Sequence, residues 1–186
     1  ATSHGFSNGD DIRITNTKGM IEINKTVFRI FNKSTNAFSL CSATRRSTVI
    51  TAATAANPVV ITSTGHGLAN GDKIGIFDVV GMTELNGLGF TVAGVSANTF
   101  QLSGINGSSY TSYTSGGVIH NTIDSTAYTT YVADGEARKR VSSISGLNHL
   151  EGETVSILAE GAAHADKVVA SGAITLDRET SKAHIG

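Results

Sequence analysis

The sequence predicts an all-β protein made of two tandem small β-barrel repeats followed by a separate short-stranded β domain. Glycine accounts for 21 of the 186 residues and proline for one, and Thr, Ser, Val and Ile are abundant. This composition is typical of short strands joined by tight turns. No long apolar pattern with the period of a helix runs through the chain, and one segment of the chain is duplicated.

The duplication is found when the sequence is aligned with itself at an offset of 62 residues. Residues 2–40 then match residues 64–102 without a gap, and 17 of the 39 positions are identical. Asn-Gly pairs supply the positive φ angles of tight turns, and alternating isoleucines predict half-buried strands. The shared residues of the first copy are His4, Gly5, Asn8, Gly9, Asp10, Ile12, Ile14, Gly19, Met20, Glu22, Asn24, Phe28, Asn36, Phe38 and Leu40, with Thr2 and Ser34.

The repeats set the predicted domain boundaries. Residues 1–46 form the first repeat and 47–120 the second. Two predicted strands around Asn57–Pro58 precede the second copy, and no equivalent precedes Thr2. We therefore expect the first repeat to be N-terminally truncated, with an exposed edge that favours pairing with another chain. The segment after Leu102 is predicted to be a flexible edge or loop.

Residues 121–186 do not align with the repeat and are predicted to be a separate β domain, truncated at its C-terminus. It contains several short strands with turns at Glu-Gly and Ser-Gly pairs. Its predicted core face consists of Val155, Ile157, Val168, Ile174 and Leu176, with Leu147 and Leu150 nearby.

The stretch GHGLANGDKIGI, residues 65–76, contains a histidine and an aspartate that could form a catalytic pair. His66 and Asp72 recur as His4 and Asp10 in the first copy. A catalytic pair has little reason to occur twice in neighbouring small units. We therefore predict a histidine packed at the end of a strand and an aspartate that caps a turn, and no catalytic residues.

The remaining chemistry-bearing residues do not point to an enzyme, a metal site or a cofactor. Cys41, the single cysteine, aligns with Ser103, so an inert buried thiol is predicted. His149, His164 and His184 lack metal-ligand spacing. Carboxylate pairs stay open as an alternative, a hydrolase that uses Glu151 or Asp134; the other candidates are Asp124, Glu153 and Glu160.

Two surface sites are predicted. Tyr110 and Tyr113 could stack on sugars of a host surface. Arg138, Lys139 and Arg140 could line a DNA-filled lumen, although the charge pattern favours an exposed hairpin of alternating sign. The formal net charge of −1 gives no reason to expect free-standing affinity for nucleic acid or membranes.

Two segments resemble known phage proteins. The segment PVVITSTGHGLANGDKIGIFDVV and its continuation to Gly117 resemble a small β-barrel module of bacteriophage structural proteins, which is named after the FCCH domain of ubiquitin-activating enzymes. The segment ISGLNHLEGETVSILAEGAAHADKVVASGAITLDRETSKAHIG is similar to a segment of phage tail proteins of the tubular or nozzle type.

The resemblance implies a structural virion protein of a phage or prophage tail, made in the bacterial cytoplasm. It would contribute β-modules to a homo-oligomeric ring around the DNA exit channel. Its expected partners are other tail proteins, with passive contact to genomic DNA during ejection and none to a membrane. The alternative is a tail-borne binding module for a host glycan or surface protein.

Overall fold

The computed structural model describes residues 3–43 and 48–186, and it is all-β, which confirms the predicted fold class. The predicted end of the first domain at residue 46 lies outside the described residues. Helical structure within the described ranges consists of single-turn 3-10 helices at Ile21–Ile23, Thr83–Leu85 and Asn148–Leu150. The strands are β1 (Asp11–Gly19), β2 (Val27–Phe31), β3 (Ser39–Ser42), β4 (Thr48–Val49), β5 (Ala52–Ala53), β6 (Val60–Thr62), β7 (Lys73–Val80), β8 (Leu88–Ala93), β9 (Thr99–Leu102), β10 (Ser115–Asn121), β11 (Tyr131–Lys139), β12 (Val141–Ser145), β13 (Thr154–Ala159), β14 (Ala162–Val168), β15 (Ala173–Thr180) and β16 (Ala183–Ile185).

The chain divides into two compact units, and neither is one continuous stretch of sequence. The first unit combines Ala1–Asp11 with Val27–Thr129, and the second combines Ile12–Thr26 with Thr130–Gly186. The first repeat therefore contributes residues to both units, whereas the second repeat lies within the first unit.

The first unit is organised around a seven-stranded antiparallel sheet of order β4-β10-β7-β8-β9-β6-β5. The segment after Leu102, predicted as a flexible edge or loop, ends in β10, an interior strand that pairs with both β4 and β7. The hairpin of β2 and β3 belongs to the same unit. The aliphatic core is made of Ile50, Val59, Ile61, Leu68, Ile74, Ile76, Val79, Met82, Leu85, Phe90, Val92, Phe100, Leu102 and Ile119.

Strand β7 is buried on both faces, whereas the sequence predicts a half-buried strand. Ile74 and Ile76 are fully buried on one face, as the alternation predicts. Phe77 is buried on the opposite face because Phe31 and Cys41 of the first repeat pack against it. The first repeat thus covers a face of β7 that would otherwise be exposed to solvent.

The second unit contains the pair β1–β11, the pair β12–β15 and the sheet β14-β13-β16. Its core consists of Val155, Ile157, Ala159, Val169, Ile174 and Leu176, with Leu147 and Leu150 packed against it. One predicted core residue is wrong: Val168 is 59% exposed, and its neighbour Val169 is buried instead. Val168 is the last residue of β14, opposite Thr154, so the adjacent side chain is the one that enters the core.

The two repeats fold into the same local elements. The elements from β1 to β3 lie 62 residues before those from β7 to β9, to within two residues at each end. Asn16 and Asp78 occupy equivalent positions within the first strand of each copy and have φ angles of 63° and 59°. The duplication in sequence is therefore a duplication of backbone conformation.

Strand β11 pairs with β1 along its whole length, although the sequence places it in the third domain. Its sequence Tyr131-x-x-Asp134-Gly135 corresponds to Tyr113-x-x-Gly116-Gly117 at the start of β10. The backbone agrees, because Gly135 and Gly117 have φ angles of 106° and 102°. In each copy the tyrosine hydroxyl donates to the carbonyl three residues later, at 2.8 Å and 2.9 Å.

β11 is therefore the closing strand of the first repeat, and the second repeat is inserted between β3 and β11. The predicted boundary at residues 120/121 does not apply to this strand. The pairing of β11 with β1 is made through backbone groups, which place little constraint on side chains. Only the short Tyr/Gly pattern of β11 shows in the sequence that this strand belongs to the first repeat. The division into three domains otherwise stays a prediction.

Candidate functional site

The histidine of the stretch 65–76 is fixed by backbone groups at both ring nitrogens. Nε2 of His66 lies 3.0 Å from the carbonyl oxygen of Ser96, and the backbone N–H of Leu68 donates to Nδ1 at 3.0 Å. These partners require a neutral ring with its proton on Nε2. The ring is buried and lies edge-on to Phe100, with 5.2 Å between the centroids. Both nitrogens are occupied, so the ring has no free base to offer a substrate.

The aspartate and asparagine of this stretch hold the adjacent turn. Asp72 Oδ2 accepts the backbone N–H of Ala69 at 2.9 Å. Asn70 Oδ1 accepts the backbone N–H of Val95 at 3.1 Å. Gly71 between them has a φ of 94°, which a glycine adopts without strain.

The first copy repeats these bonds. His4 Nε2 lies 3.1 Å from the Ser34 carbonyl oxygen, and the Phe6 N–H donates to His4 Nδ1 at 3.1 Å. Asp10 Oδ2 accepts from the Ser7 N–H at 2.9 Å. The prediction of an aspartate that caps a turn is confirmed for both copies. The prediction of a packed histidine is confirmed for His66, whereas His4 is only partly buried, and both residues lie outside the strands.

Cys41 is fully buried, which confirms the predicted burial of its thiol. Burial raises its pKa to about 12, because a thiolate would lose its hydration at this position. The thiol donates to the Arg29 carbonyl oxygen at 3.4 Å. It is therefore protonated at neutral pH and a poor nucleophile.

A partly buried polar cluster around Arg29 was not predicted from the sequence. The guanidinium donates to both carboxylate oxygens of Asp11, at 2.8 Å and 3.2 Å. It stacks 5.5 Å above the ring of Phe77, and its Nη1 lies 3.4 Å from Nε2 of His120. The hydrogen bond from Arg29 to Asp11 raises the pKa of the arginine above its ordinary value.

His120 completes this cluster as a neutral acceptor. Its Nδ1 lies 2.9 Å from the Ser42 carbonyl oxygen, so Nδ1 carries the proton and Nε2 faces Arg29. Burial, followed by the charge of Arg29, lowers its pKa below the ordinary value. The alternation of charged and apolar residues in β2 predicts only that the Arg29 side chain lies on the face opposite the apolar side chains. Nothing in the sequence indicates that Asp11 and His120 meet it.

The basic run of the predicted DNA contact is partly neutralised by neighbouring acids. Arg138 forms an ion pair with Glu136 at 2.7 Å. Arg140 Nη2 donates to the Glu179 carbonyl oxygen at 2.8 Å, and Nη1 lies 3.4 Å from its carboxylate. Lys139 also has an interaction partner. The run is largely exposed and alternates in charge as predicted, but the predicted hairpin is wrong, because β11 pairs with β1 and β12 pairs with β15. Contact with DNA stays a prediction.

The two tyrosines of the predicted glycan site pack against the core of the second repeat. Tyr110 and Tyr113 are partly buried there. The Tyr113 hydroxyl donates toward the carbonyl oxygens of Ile50 and Gly116, at 3.0 Å and 2.9 Å. These contacts restrict Tyr113 as a stacking surface, and glycan contact also stays a prediction.

Two of the candidate carboxylates, Glu151 and Asp124, accept hydrogen bonds from backbone N–H groups of turns, whereas Asp134 forms an ion pair with Lys18 at 2.8 Å. Glu151 accepts from the N–H groups of Ser171 and Gly172, at 2.9 Å and 2.7 Å. Asp124 accepts from the hydroxyl and N–H of Thr126, which lowers its pKa. Across residues 3–43 and 48–186, no group of three or more His, Cys, Asp or Glu side chains could hold a metal ion. No helix in that part of the chain is long and apolar enough to cross a bilayer.

Comparison with known families supports the small β module. Residues 56–123 match the model of the ubiquitin-activating enzyme E1 FCCH domain, a non-catalytic β domain of those enzymes. The matched residues run from the turn before β6 to the end of β10, and so contain most of the second repeat. No curated protein matches the chain.

Proposed function

We propose that this chain is a structural, assembly-type part of a phage or prophage tail and has no catalytic role. It contributes β-modules to a ring-forming tail tube or nozzle around the DNA exit channel. The observation that carries the proposal is the paired use of His4 and His66. Both rings bind the same backbone groups of their repeat at 3.0–3.1 Å, which is a role in shape and leaves no group for chemistry.

Apolar surface supports an assembly role. Val132 is 71% exposed, and Ile21, on the 3-10 helix that follows β1, is 62% exposed. Val168, at the end of the outer strand β14, is 59% exposed. Exposed strand edges and apolar side chains are stabilised by packing on neighbouring subunits, and a closed ring leaves no edge free.

The tail assignment rests on the resemblance of residues 144–186 to tail proteins of the tubular or nozzle type. The structure gives this segment its own aliphatic core, with Val155 and Ile174 among its buried residues. A module with its own core can be part of a larger structural subunit, because its folding does not depend on packing against an enzyme domain. The proposed partners are further copies of the subunit, other tail proteins and, passively, the genomic DNA; the proposed location is the virion tail.

The test is the mass of the protein in solution and its presence in particles. We expect a closed oligomer by native mass spectrometry or light scattering, and the protein in purified virions. Val132→Asp should reduce assembly, since it places a charge on exposed apolar surface. Thr175→Asp, which adds the same charge at an exposed polar position, is the matched control. A protein that stays monomeric at high concentration and is absent from particles overturns the proposal.

A further inference from the structure

Four Asn-Gly pairs lie outside the strands of the first unit, at Asn8, Asn70, Asn86 and Asn106. Such a pair can modify itself, because the backbone nitrogen of the glycine attacks the side-chain Cγ of the asparagine. The N–Cγ bond forms, the Cγ–Nδ2 bond breaks, and ammonia leaves with the amide proton of the glycine. Water then opens the resulting succinimide ring at either carbonyl and gives aspartate or isoaspartate. Glycine favours the attack because it has no side chain beside the nitrogen.

The fold restrains the attacking nitrogen of all four pairs. Each glycine N–H donates to a backbone carbonyl oxygen of another segment: Gly9 to Ile30 and Gly71 to Val92 at 2.8 Å, Gly87 to Ile76 at 2.7 Å, and Gly107 to Ala56 at 2.9 Å. A nitrogen in such a bond cannot approach Cγ until the bond breaks. The rate of modification at each pair therefore depends on the population of a locally opened state.

In three of the four pairs the asparagine side chain is also anchored to another segment. These bonds run from the Lys33 N–H to Asn8 Oδ1 at 2.9 Å, from the Val95 N–H to Asn70 Oδ1 at 3.1 Å, and from the Val79 N–H to Asn86 Oδ1 at 2.8 Å. Asn86 also donates from Nδ2 to the Val79 carbonyl oxygen at 2.8 Å. The side chain and the glycine nitrogen must both be released before these pairs can react.

Asn106 is held in a different way. Its Oδ1 accepts the N–H of Ser108, two residues further along the chain, at 3.0 Å. This bond lies within the loop and moves with it, so it does not fix the side chain to another segment. The residue is exposed. The bond from Gly107 to Ala56 is the contact with another segment that has to break before Asn106 can react.

We propose that Asn106 is the deamidation site of the folded protein and that the fold protects Asn8, Asn70 and Asn86. The product carries a new negative charge in the loop between β9 and β10, and isoaspartate also lengthens the backbone there. The protected pairs react only when their turns open. The reaction consumes water alone, and it is independent of the proposed tail role.

The test is mass spectrometry of peptides from the whole chain after incubation in mildly alkaline buffer, either folded or in concentrated urea. In the folded chain we expect Asn106 to convert at least about tenfold faster than Asn8, Asn70 or Asn86, since the open states of these pairs are less populated. In urea the rates should become similar, because glycine follows each asparagine. A folded chain in which Asn106 converts no faster than the others overturns the proposal.

The first repeat supplies a matched control at Asn24, the counterpart of Asn86. Its Oδ1 accepts the Thr17 N–H at 2.9 Å, and its Nδ2 donates to the Thr17 carbonyl oxygen at 3.1 Å. The next residue is Lys25, with a φ of 63°, and its N–H donates to the Ile14 carbonyl oxygen at 2.6 Å. Lys25→Gly thus creates a fifth Asn-Gly pair at a φ that glycine adopts without strain. This pair should convert in urea and stay intact in the folded variant, and rapid conversion in the folded variant contradicts the protection.

The protection of one pair can be weakened relative to the other. His66 Nε2 bonds the carbonyl oxygen of Ser96, next to the residue that anchors Asn70. His66→Ala should therefore accelerate Asn70 at least about tenfold relative to Asn8. His4→Ala, the equivalent change in the first copy, should accelerate Asn8 relative to Asn70. Unchanged relative rates in both variants contradict the role of these anchors.

Discussion

His66 and His4 make the same hydrogen bonds, but we expect them to contribute differently to the free energy of unfolding because they differ in burial. Both rings accept one backbone N–H and donate to one carbonyl oxygen, but His66 is 2% exposed and His4 is partly exposed. Removal of a buried partner leaves polar groups unsatisfied, whereas water replaces an exposed one.

We therefore expect His66→Ala to lower the free energy of unfolding by about 2–4 kcal/mol and His4→Ala by about 1 kcal/mol. Denaturant titration monitored by tyrosine fluorescence measures the free energy of unfolding of both variants. An equal or larger cost for His4→Ala would contradict the role assigned to burial.

His120 predicts an acid-sensitive stability. Its folded-state pKa lies below that of the unfolded chain, so the unfolded chain binds more protons as the pH falls through about 6.5. The stability it contributes is present above that pH and is lost below it. The groups that face it are Arg29, Asp11 and Asp78, and the nearest, Arg29, repels a second positive charge.

We expect the free energy of unfolding to fall between pH 7 and pH 5, and to fall less steeply in His120→Gln. Urea titrations at several pH values measure the two slopes. Identical slopes for the variant and the wild type would show that other groups cause the acid sensitivity.

At the residue scale, the sequence predicts the turn chemistry because the repeat displays it twice. Asn-Gly-Asp has a local structural meaning that needs no knowledge of distant residues. The Arg29 cluster could not be predicted, since Asp11, Arg29 and His120 are brought together only by the fold.

At the scale of elements, β11 is the strand that most changes the interpretation of the chain. The predicted boundaries end the first repeat at residue 46 and the second at residue 120, whereas the structure gives β1 a partner that begins at Tyr131. The Tyr-x-x-Tyr pattern at Tyr128 and Tyr131 repeats that at Tyr110 and Tyr113, and is the sequence signal that could have revealed it. The pattern is short, and the inserted second repeat separates it from the rest of its own copy.

A chain ending at Asn121 tests this pairing. We expect the amides of β1 to lose hydrogen-exchange protection relative to the whole chain, because the partner strand is gone. The amides of β7, which pairs with β10, should keep theirs. Full protection of β1 in the shortened chain would contradict its dependence on β11.

At the scale of the whole molecule, composition predicts all-β structure and small aliphatic cores, and it does so because glycine and β-branched residues act locally. The two cores share no residue: one includes Phe100 and the other Ile174. The division of the chain between the units could not be predicted from the sequence. Ile12–Thr26 belongs to the same unit as Thr130–Gly186, although the residues on either side of it in sequence belong to the other unit.

Two separate cores predict separable losses of stability. Phe100→Ala should cost the first unit about 3–5 kcal/mol, and Ile174→Ala should cost the second about 2–5 kcal/mol. Hydrogen exchange resolved by segment measures each unit by itself, with β9 and β13 as reporters. A uniform loss of protection across both units in either variant would show a single cooperative structure.

The insertion of one repeat into the other also sets the order in which the polypeptide can mature as it leaves the ribosome. The second repeat has all its strands once Asn121 has emerged, whereas Ile12 must wait for Lys139. The copy that is synthesised first is thus the last to close, and during that delay the nascent chain exposes one unpaired edge of β1.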